Sequence, residues 1–197
     1  MMVPDDLRRR ILEIARAMAN AGLARGSSGN VSARTAGGIL ITASGIPYER
    51  LSAAQIIEID FDGKKRSGQG EPSSEWRMHA EIYRRRDDVA AIVHTHSPYA
   101  TAAAISLHFL PIVHDEGRIL FGDEIPVSRH APPGTWNLAR AVAAALGDRS
   151  AALIACHGAV AVGTSPEEAL MRAEKVEEMA QLFWLSRFLK EDHEKRG

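Results

Sequence analysis

Apolar residues at helical spacing predict a long helix near each end of the chain. Residues 5–24 and 165–190 carry apolar side chains at steps of three and four, so each segment presents one apolar stripe. The first stripe consists of Leu7, Ile11, Ile14, Met18 and Ala21, and the second of Ala169, Ala173, Val176, Met179, Ala180 and Phe183. We interpret both stripes as faces that pack against a core.

Between these helices, short apolar runs bounded by Gly, Pro and polar residues predict several strands. The runs occupy residues 31–34, 39–42, 57–61, 89–93, 110–113, 126–129, 151–155 and 160–162. Further helices are predicted at residues 72–86, 97–106 and 135–146, with a short capped helix at 52–55. Residues 64–71 are polar and glycine-rich, which predicts a surface loop. Since we find no internal repeat or linker, we expect one domain over residues 1–197.

The composition of the chain indicates which broad class of protein it belongs to. The chain has 197 residues, of which 45% are hydrophobic and 25% charged, as in ordinary globular proteins. A net charge of -1 gives no reason to expect nucleic acid or an anionic membrane as partner. We find no signal-peptide core and no membrane span, and a single cysteine excludes an internal disulfide framework. We therefore expect a cytoplasmic protein.

The apolar run at 89–93 leads into two histidines separated by one residue. On a strand, residues i and i+2 point to the same face, so His94 and His96 would present their imidazoles side by side. This arrangement is typical of a metal site, although two polar residues at a strand end would look the same.

A third candidate ligand stands where the predicted strand 151–155 ends. His157 and Cys156 both have the chemistry to bind zinc, but neighbouring strand residues face opposite ways. We favour His157, because Gly158 would leave room beside it, and expect Cys156 to be a small core residue. Three histidines with an exchangeable fourth position are typical of a catalytic zinc site.

Three small polar segments could bind an anion. Residues 26–30 and 43–45 form loops of Gly, Ser and Asn, and Ser73-Ser74 precedes a predicted helix, where backbone N–H groups converge. Each could equally be a turn or a helix cap. Glu75 would aim a carboxylate into the same site, or would only compensate the helix dipole. We expect His79, one turn further on, to be structural.

Taken together, these motifs resemble the class II aldolase and adducin-head family, most closely its L-fuculose-phosphate aldolase branch. The resemblance runs from about residue 5 to residue 185. It rests on five motifs in order: Gly29-Asn30-Val31-Ser32, the segment 41–48, Pro72-Ser73-Ser74-Glu75-Trp76-Arg77, His94-Thr95-His96-Ser97 and His157-Gly158.

The resemblance implies a fold and a set of site residues. The fold would be a single α/β domain in three layers, with a mostly antiparallel central sheet flanked by helices. It would assemble as a homotetramer with active sites at subunit interfaces. One Zn²⁺ ion, or Mn²⁺ in its place, would bind His94, His96 and His157. Glu75 would be both a ligand of the resting metal and the acid/base. The phosphate would bind Gly29, Asn30, Ser44, Gly45, Ser73 and Ser74.

The implied activity is that of a zinc-dependent aldehyde-lyase. It would cleave a ketose 1-phosphate to dihydroxyacetone phosphate and an aldehyde through a metal-stabilised enediolate. The alternatives are a 4-epimerase, a decarboxylase or a dehydratase of the same family, a zinc hydrolase, and a non-catalytic adducin-like binding module. We favour the aldolase because Glu75 follows Ser73-Ser74 in the aldolase manner.

Two features depart from the fuculose-phosphate branch. Asp115 stands where that branch has a tyrosine that looks like the proton donor, and the chain lacks the branch's aromatic C-terminal tail. Both changes concern the aldehyde half of the site. They make another ketose 1-phosphate, such as a 5-deoxypentulose or a methylthio sugar, a second candidate for the substrate.

Overall fold

The computed structural model describes the backbone of residues 4–196 and the side chains of residues 6–189. Within this range the chain forms six α-helices: α1 Pro4–Asn20, α2 Trp76–Arg85, α3 Pro98–Ser106, α4 Asp115–Phe121, α5 Trp136–Leu146 and α6 Pro166–Arg196. It forms nine strands: β1 Asn30–Thr35, β2 Gly38–Thr42, β3 Ile56–Ile59, β4 Lys65–Ser67, β5 Ala91–Thr95, β6 Phe109–Pro111, β7 Glu124–Pro126, β8 Ala151–Ile154 and β9 Gly158–Gly163.

Seven of the described strands form one sheet in the order β4-β3-β2-β1-β5-β9-β8, and every neighbouring pair is antiparallel. Strand β5 lies in the interior of this sheet between β1 and β9. Strands β6 and β7 form a separate antiparallel pair. The expected α/β fold with an antiparallel central sheet is confirmed.

The helices flank the sheet in two packed groups. Helices α1 and α3 both contact α6, and α6 lies along β5 and β9, while α2 packs against α5. The two predicted stripes are buried where they meet this core, apart from Leu7, which is half-buried, and Ala21, which is exposed just beyond the end of α1. Helix α1 ends at Asn20, four residues before the predicted end. No helix in the described part of the chain is long and apolar enough to cross a membrane.

Two elements were absent from the prediction. Strand β4 lies within the predicted loop 64–71; it pairs only with β3 and its side chains are largely exposed, so it needs no apolar pattern. Helix α4 has seven residues, which is too short to show a helical period. It is anchored by Phe121 and by Gly117, which packs closely against Met179 and Ile112.

The strand predicted at 126–129 lies instead at Glu124–Pro126, and the helix predicted from 72 begins at Trp76. Glu75 occupies the N-cap position of α2 rather than its first turn, and its backbone N–H donates to Ser73 Oγ at 3.3 Å. The Glu75 side chain makes no capping hydrogen bond. It is therefore available for contacts away from its own helix.

Candidate metal centre

The pairing of β5 with β9 brings the three predicted histidines together. His94 is the fourth residue of β5 and pairs with Asn30 on one side and Val160 on the other. His96 follows the end of β5, and His157 lies in the turn that connects β8 to β9. The ring centroids are 4.8 Å (His94–His96), 5.0 Å (His94–His157) and 4.8 Å (His96–His157) apart.

Glu75 completes this cluster from the N-terminal end of α2. Its Oε2 lies 2.9 Å from His94 Nε2, and its Oε1 lies 3.3 Å from His157 Nε2. The Nε2 atoms of His94 and His96 are also 2.9 Å apart. One ligand atom from each of the four residues lies within 4.8 Å of the others. Ligands at tetrahedral zinc would be roughly 3.4 Å apart, given Zn–N bonds of about 2.0–2.1 Å. The cluster therefore has the dimensions of a single-ion site.

The hydrogen bonds around the cluster also suit a divalent ion. His94 Nδ1 donates to the backbone oxygen of Ala159 at 2.9 Å, which leaves the Nε2 lone pair facing the centre. Glu75 is almost completely buried, and its Oε1 has no hydrogen-bond partner among the residues that the structure describes. A buried carboxylate oxygen without a donor is costly unless a cation binds it. Three nitrogens and one carboxylate therefore form a donor set that fits a metal ion.

Electrostatics at the cluster favour an ionised carboxylate. Burial raises the pKa of Glu75, but the rings of His94, His157 and His96 outweigh it and hold the pKa well below its usual range. Burial, together with the neighbouring rings, lowers the pKa of His96 to about 4 and also lowers that of His157. Burial also acts to lower the pKa of His94, but the neighbouring Glu75 carboxylate outweighs this effect, so the His94 pKa is raised. At neutral pH, His96 and His157 therefore offer unprotonated nitrogens to a cation.

The three loops predicted to bind phosphate are joined to one another. Tyr48, which follows the loop 43–45, donates from its hydroxyl to the backbone oxygen of Gly29 at 2.7 Å. The N–H of Ser44 donates to Glu71 O, and the N–H of Ser73 donates to Thr42 O. The loop 43–45 is thus linked to both of the other segments.

Gly29 and Ser73 connect these loops to the metal cluster. Gly29 has φ +73°, and a Cβ at this position would lie 2.6 Å from the backbone oxygen of His94. Ser73 and Ser74 directly precede Glu75, so the segment that carries the carboxylate also carries two hydroxyls. Ser73 is buried, whereas Ser74, Ser44 and Gly45 are exposed. Phosphate binding by these residues stays a prediction.

Asn30 lies deeper than the rest of its loop. Its side chain is buried between Glu75, whose Oε2 lies 3.4 Å from Nδ2, and His79, whose Nε2 lies 2.5 Å from Oδ1. The predicted contact between Asn30 and phosphate is untested. The contact between Asn30 and His79 was not predicted, because His79 was expected only to be structural. The spacing carries a signal: Glu75 and His79 are four residues apart, the distance between neighbours on one helix face.

The prediction for Cys156 was wrong. Strand β8 ends at Ile154, so Cys156 and His157 both lie in a turn and the alternation of a strand does not apply to them. Cys156 is exposed and has φ +58°, which is a turn conformation rather than a core position. Asp115, at the site of the expected tyrosine, begins α4 and is exposed.

Comparison with known proteins places these motifs in one family. The profile described as "Class II Aldolase and Adducin N-terminal domain" matches residues 9–184. The L-fuculose phosphate aldolase of Escherichia coli K12 is 41% identical over 182 residues, which cover 92% of this chain and 84% of that protein. The 5-methylthioribulose-1-phosphate/5-deoxyribulose-1-phosphate aldolase of Rhodospirillum rubrum is 39% identical over 178 residues, 90% of this chain and 80% of that protein.

A solved structure shows the same architecture. The structure of an L-fuculose 1-phosphate aldolase matches with a TM-score of 0.89 and 32% identity, and the match covers 93% of this chain and 87% of that one. The similarity therefore extends over the sheet, the helices that flank it and the strands that carry the cluster.

Proposed function

Since the chain belongs to the class II aldolase and adducin N-terminal domain family, we propose that it is a metal-dependent lyase acting on a ketose 1-phosphate. The products would be dihydroxyacetone phosphate and an aldehyde. The observation that carries this proposal is the cluster of three imidazoles with one buried carboxylate. The adducin-like binding module is disfavoured, because a module without chemistry has no use for such a cluster.

We propose that His94, His96, His157 and Glu75 hold one Zn²⁺ ion, with Mn²⁺ as the other candidate. The nitrogen-rich donor set favours zinc, since manganese prefers oxygen ligands. When bound, the ion would act as a Lewis acid on the substrate's carbonyl oxygen and stabilise the negative charge left when the carbon–carbon bond breaks. Everything else in the reaction is assigned to side chains and backbone groups of the protein.

Glu75 is proposed to move the proton. In cleavage, the hydroxyl at C4 loses its proton while the C3–C4 bond breaks, and C3 gains a proton to complete dihydroxyacetone phosphate. A single carboxylate can accept the first proton and deliver the second, so that no net proton is needed. The position of Glu75 supports this role, because its two oxygens face different rings of the cluster and its backbone is fixed at the start of α2.

The phosphate would lie against the neighbouring loops. We propose that Gly29, Asn30, Ser44, Gly45, Ser73 and Ser74 bind it through backbone N–H groups and side-chain donors. The hydrogen bonds that join the three loops and their flanking residues support this proposal, because they hold the candidate donors next to one another. The start of α2 adds the favourable end of a helix dipole. A fixed phosphate orients the bond to be cleaved.

The relatives suggest two kinds of substrate, which differ in the aldehyde that cleavage would release. The names of the two proteins reported above indicate a fuculose phosphate and a 5-deoxy- or 5-methylthioribulose 1-phosphate as substrates. These esters share the dihydroxyacetone-phosphate half, which the loops and the cluster would bind. Asp115 replaces the tyrosine of the fuculose-phosphate branch on the aldehyde side. We therefore propose the 5-deoxypentulose or methylthio ester as the second candidate substrate.

We further propose that the chain assembles as a cytoplasmic homotetramer with its sites at subunit interfaces. Exposed apolar side chains on and near α3 and α4 support an assembly: Ile105, Phe109, Val113 and Ile119. Such side chains gain stability when a partner removes them from water.

The test replaces Glu75 by Gln. The purified zinc-loaded protein is incubated with L-fuculose 1-phosphate and with 5-deoxyribulose 1-phosphate, and dihydroxyacetone phosphate is measured. We expect Glu75→Gln, assayed with excess zinc, to keep the ion on its three imidazoles even at lower affinity, and to lose about 10²-fold or more in kcat, as is usual for loss of a general acid/base. Glu81→Gln, which removes a partly buried carboxylate of the same helix that pairs with Arg85 and not with the cluster, is the control and should retain activity.

Two results would contradict the proposal. Wild-type turnover in Glu75→Gln would remove Glu75 from proton transfer. Absence of dihydroxyacetone phosphate from every ester, with zinc bound to the wild-type protein, would refute the lyase function itself.

A further inference from the structure

A continuous row of buried polar groups leads from Tyr83, near the C-terminal end of α2, to Glu75 at its N-terminal end. The Tyr83 hydroxyl lies 2.9 Å from Ser32 Oγ, which lies 2.7 Å from His79 Nδ1. His79 Nε2 lies 2.5 Å from Asn30 Oδ1, and Asn30 Nδ2 lies 3.4 Å from Glu75 Oε2. Tyr83, Ser32 and His79 are completely buried, and Asn30 nearly so. Four hydrogen bonds thus connect groups that water does not reach.

The chemistry of these groups allows only one set of donors and acceptors. An ionised carboxylate can only accept, so Asn30 must turn its NH₂ toward Glu75. The amide oxygen then faces His79, whose Nε2 must carry a proton to donate to it. In a neutral ring Nδ1 has no proton, so it accepts from the Ser32 hydroxyl, which in turn accepts from Tyr83.

The charge states required by this assignment agree with the surroundings. Burial lowers the pKa of His79 to about 3, an effect to which His94 adds and which Glu75 opposes. Burial also raises the pKa of Tyr83 above its usual value, so the hydroxyl keeps its proton. At neutral pH the ring is uncharged and the tyrosine remains a donor.

Reversing any one group would break the row. If the Asn30 amide were turned by 180°, its oxygen would face the Glu75 carboxylate and its NH₂ would face the N–H of His79. Two acceptors and two donors would then oppose each other in a site without water, and both hydrogen bonds would be lost. The other tautomer of His79 would favour the turned amide, but Ser32 would then donate to Tyr83, and the buried Tyr83 hydroxyl would be left without an acceptor among the described residues.

We propose that His79 is a positioning residue, whose Nε2–H holds the Asn30 amide in the one orientation that donates to Glu75 and so keeps the carboxylate directed at the three imidazoles. Ser32 and Tyr83 act through His79 by selecting its tautomer. The consequence for catalysis rests on the proposed role of Glu75 as metal ligand and acid/base. The orientation of the amide does not depend on that role.

The first experiment observes the tautomer directly. In protein labelled with ¹⁵N-histidine, the ring nitrogens of His79 are identified by comparison with His79→Gln. We expect a neutral ring protonated on Nε2 throughout the neutral range. A ring protonated on Nδ1, or a charged ring at neutral pH, would overturn the proposal whether or not the protein cleaves any ester.

The second experiment uses two replacements of His79 that distinguish the loss of its hydrogen bonds from the loss of its packing. His79→Phe keeps a ring but removes both nitrogens, whereas His79→Gln keeps an N–H near the place of Nε2. Ile82→Val, a buried apolar change on the same helix that removes no hydrogen bond of the row, controls for a loss of packing. Zinc affinity is measured by competition with a chromophoric chelator, and kcat and KM are measured for whichever ester is cleaved.

We expect His79→Phe to bind zinc about 10- to 100-fold more weakly, as other groups that orient metal ligands do, and to lose kcat with little change in KM. His79→Gln should restore most of both values, and Ile82→Val should keep them.

Wild-type zinc affinity in His79→Phe would overturn the proposal, as would equal losses in the Gln and Phe variants. If none of the proteins cleaves an ester, the proposed function fails, while the affinities and the tautomer still decide this proposal. If His79→Phe does not fold, His79→Gln and the ¹⁵N measurement decide it.

Discussion

At the scale of single residues, the three imidazoles of the cluster are held differently. His94 is completely buried, and its Nδ1 is engaged by the backbone oxygen of Ala159. His157 has no described partner for its Nδ1, and His96 is only half-buried at the end of β5. Backbone hydrogen bonds to the outer nitrogen fix a ligand's ring and tautomer. His94 is therefore the best-fixed of the three rings.

A buried neutral histidine makes stability depend on pH. Burial lowers the pKa of His79 to about 3 in the folded protein, whereas a histidine in the unfolded chain has the ordinary pKa of about 6.5. Between these values the unfolded chain binds one more proton than the folded one, so the free energy of unfolding falls as pH falls. The contribution is about 1.4 kcal/mol per pH unit, or about 2 kcal/mol between pH 6.5 and pH 5.

His79→Phe should lose this part of the pH dependence. Urea unfolding of both proteins at about pH 5, 6 and 7 measures it, and the variant should show the shallower decline on acidification. The same decline in both proteins would mean that His79 gains a proton in the folded state as readily as in the unfolded one.

At the scale of elements, the cluster depends on the close approach of β9, which carries no ligand, to β5, which carries His94. Gly158 begins β9, and a Cβ there would lie 2.1 Å from the backbone oxygen of Thr95 in β5. Only glycine permits these two strands to meet beside His157 and His96. Gly158 was predicted to leave room beside His157, but it makes room for the neighbouring strand.

Helix α3, which follows His96 after one residue, is capped by another helix. The Glu177 carboxylate in α6 accepts from the backbone N–H of Tyr99 at 2.9 Å and of Ala100 at 2.8 Å. We expect Glu177→Ala to lower the free energy of unfolding by about 1 kcal/mol, as loss of a helix cap usually does. Glu174→Ala, at an exposed position of the same helix, is the control. Equal stability of the two variants in urea would show that the cap contributes nothing.

At the scale of the whole molecule, the proposed assembly can be tested at the exposed apolar side chains around α4. Ile119 is 85% exposed, so a charge there costs the isolated chain little. If this surface is buried between subunits, Ile119→Asp should weaken the tetramer and reduce activity with it. Sedimentation velocity at micromolar concentration measures the change, with Lys64→Asp at another exposed position as control. Wild-type protein that sediments as a single chain would contradict the proposed tetramer.

Local sequence determined the parts of this protein that depend on neighbouring residues. The apolar periods of α1 and α6, the strand β5 and the His94-x-His96 spacing are properties of contiguous segments. They were predicted, although α1 ends four residues early and β5 lies two residues later than predicted. The capping box at Ser52 was also correct. Periodicity shows these features because helices and strands each repeat on a fixed residue spacing.

Only the tertiary structure decided how distant segments meet. The pairings of β1, β5 and β9 bring Asn30 and His157 to His94, and α2 brings Glu75, yet these residues are far apart along the chain. The turn conformation of Cys156, the edge strand β4 and the row through His79 likewise have no local period. Contacts between segments are selected by the burial and hydrogen bonding of the whole fold, and no single segment contains that information.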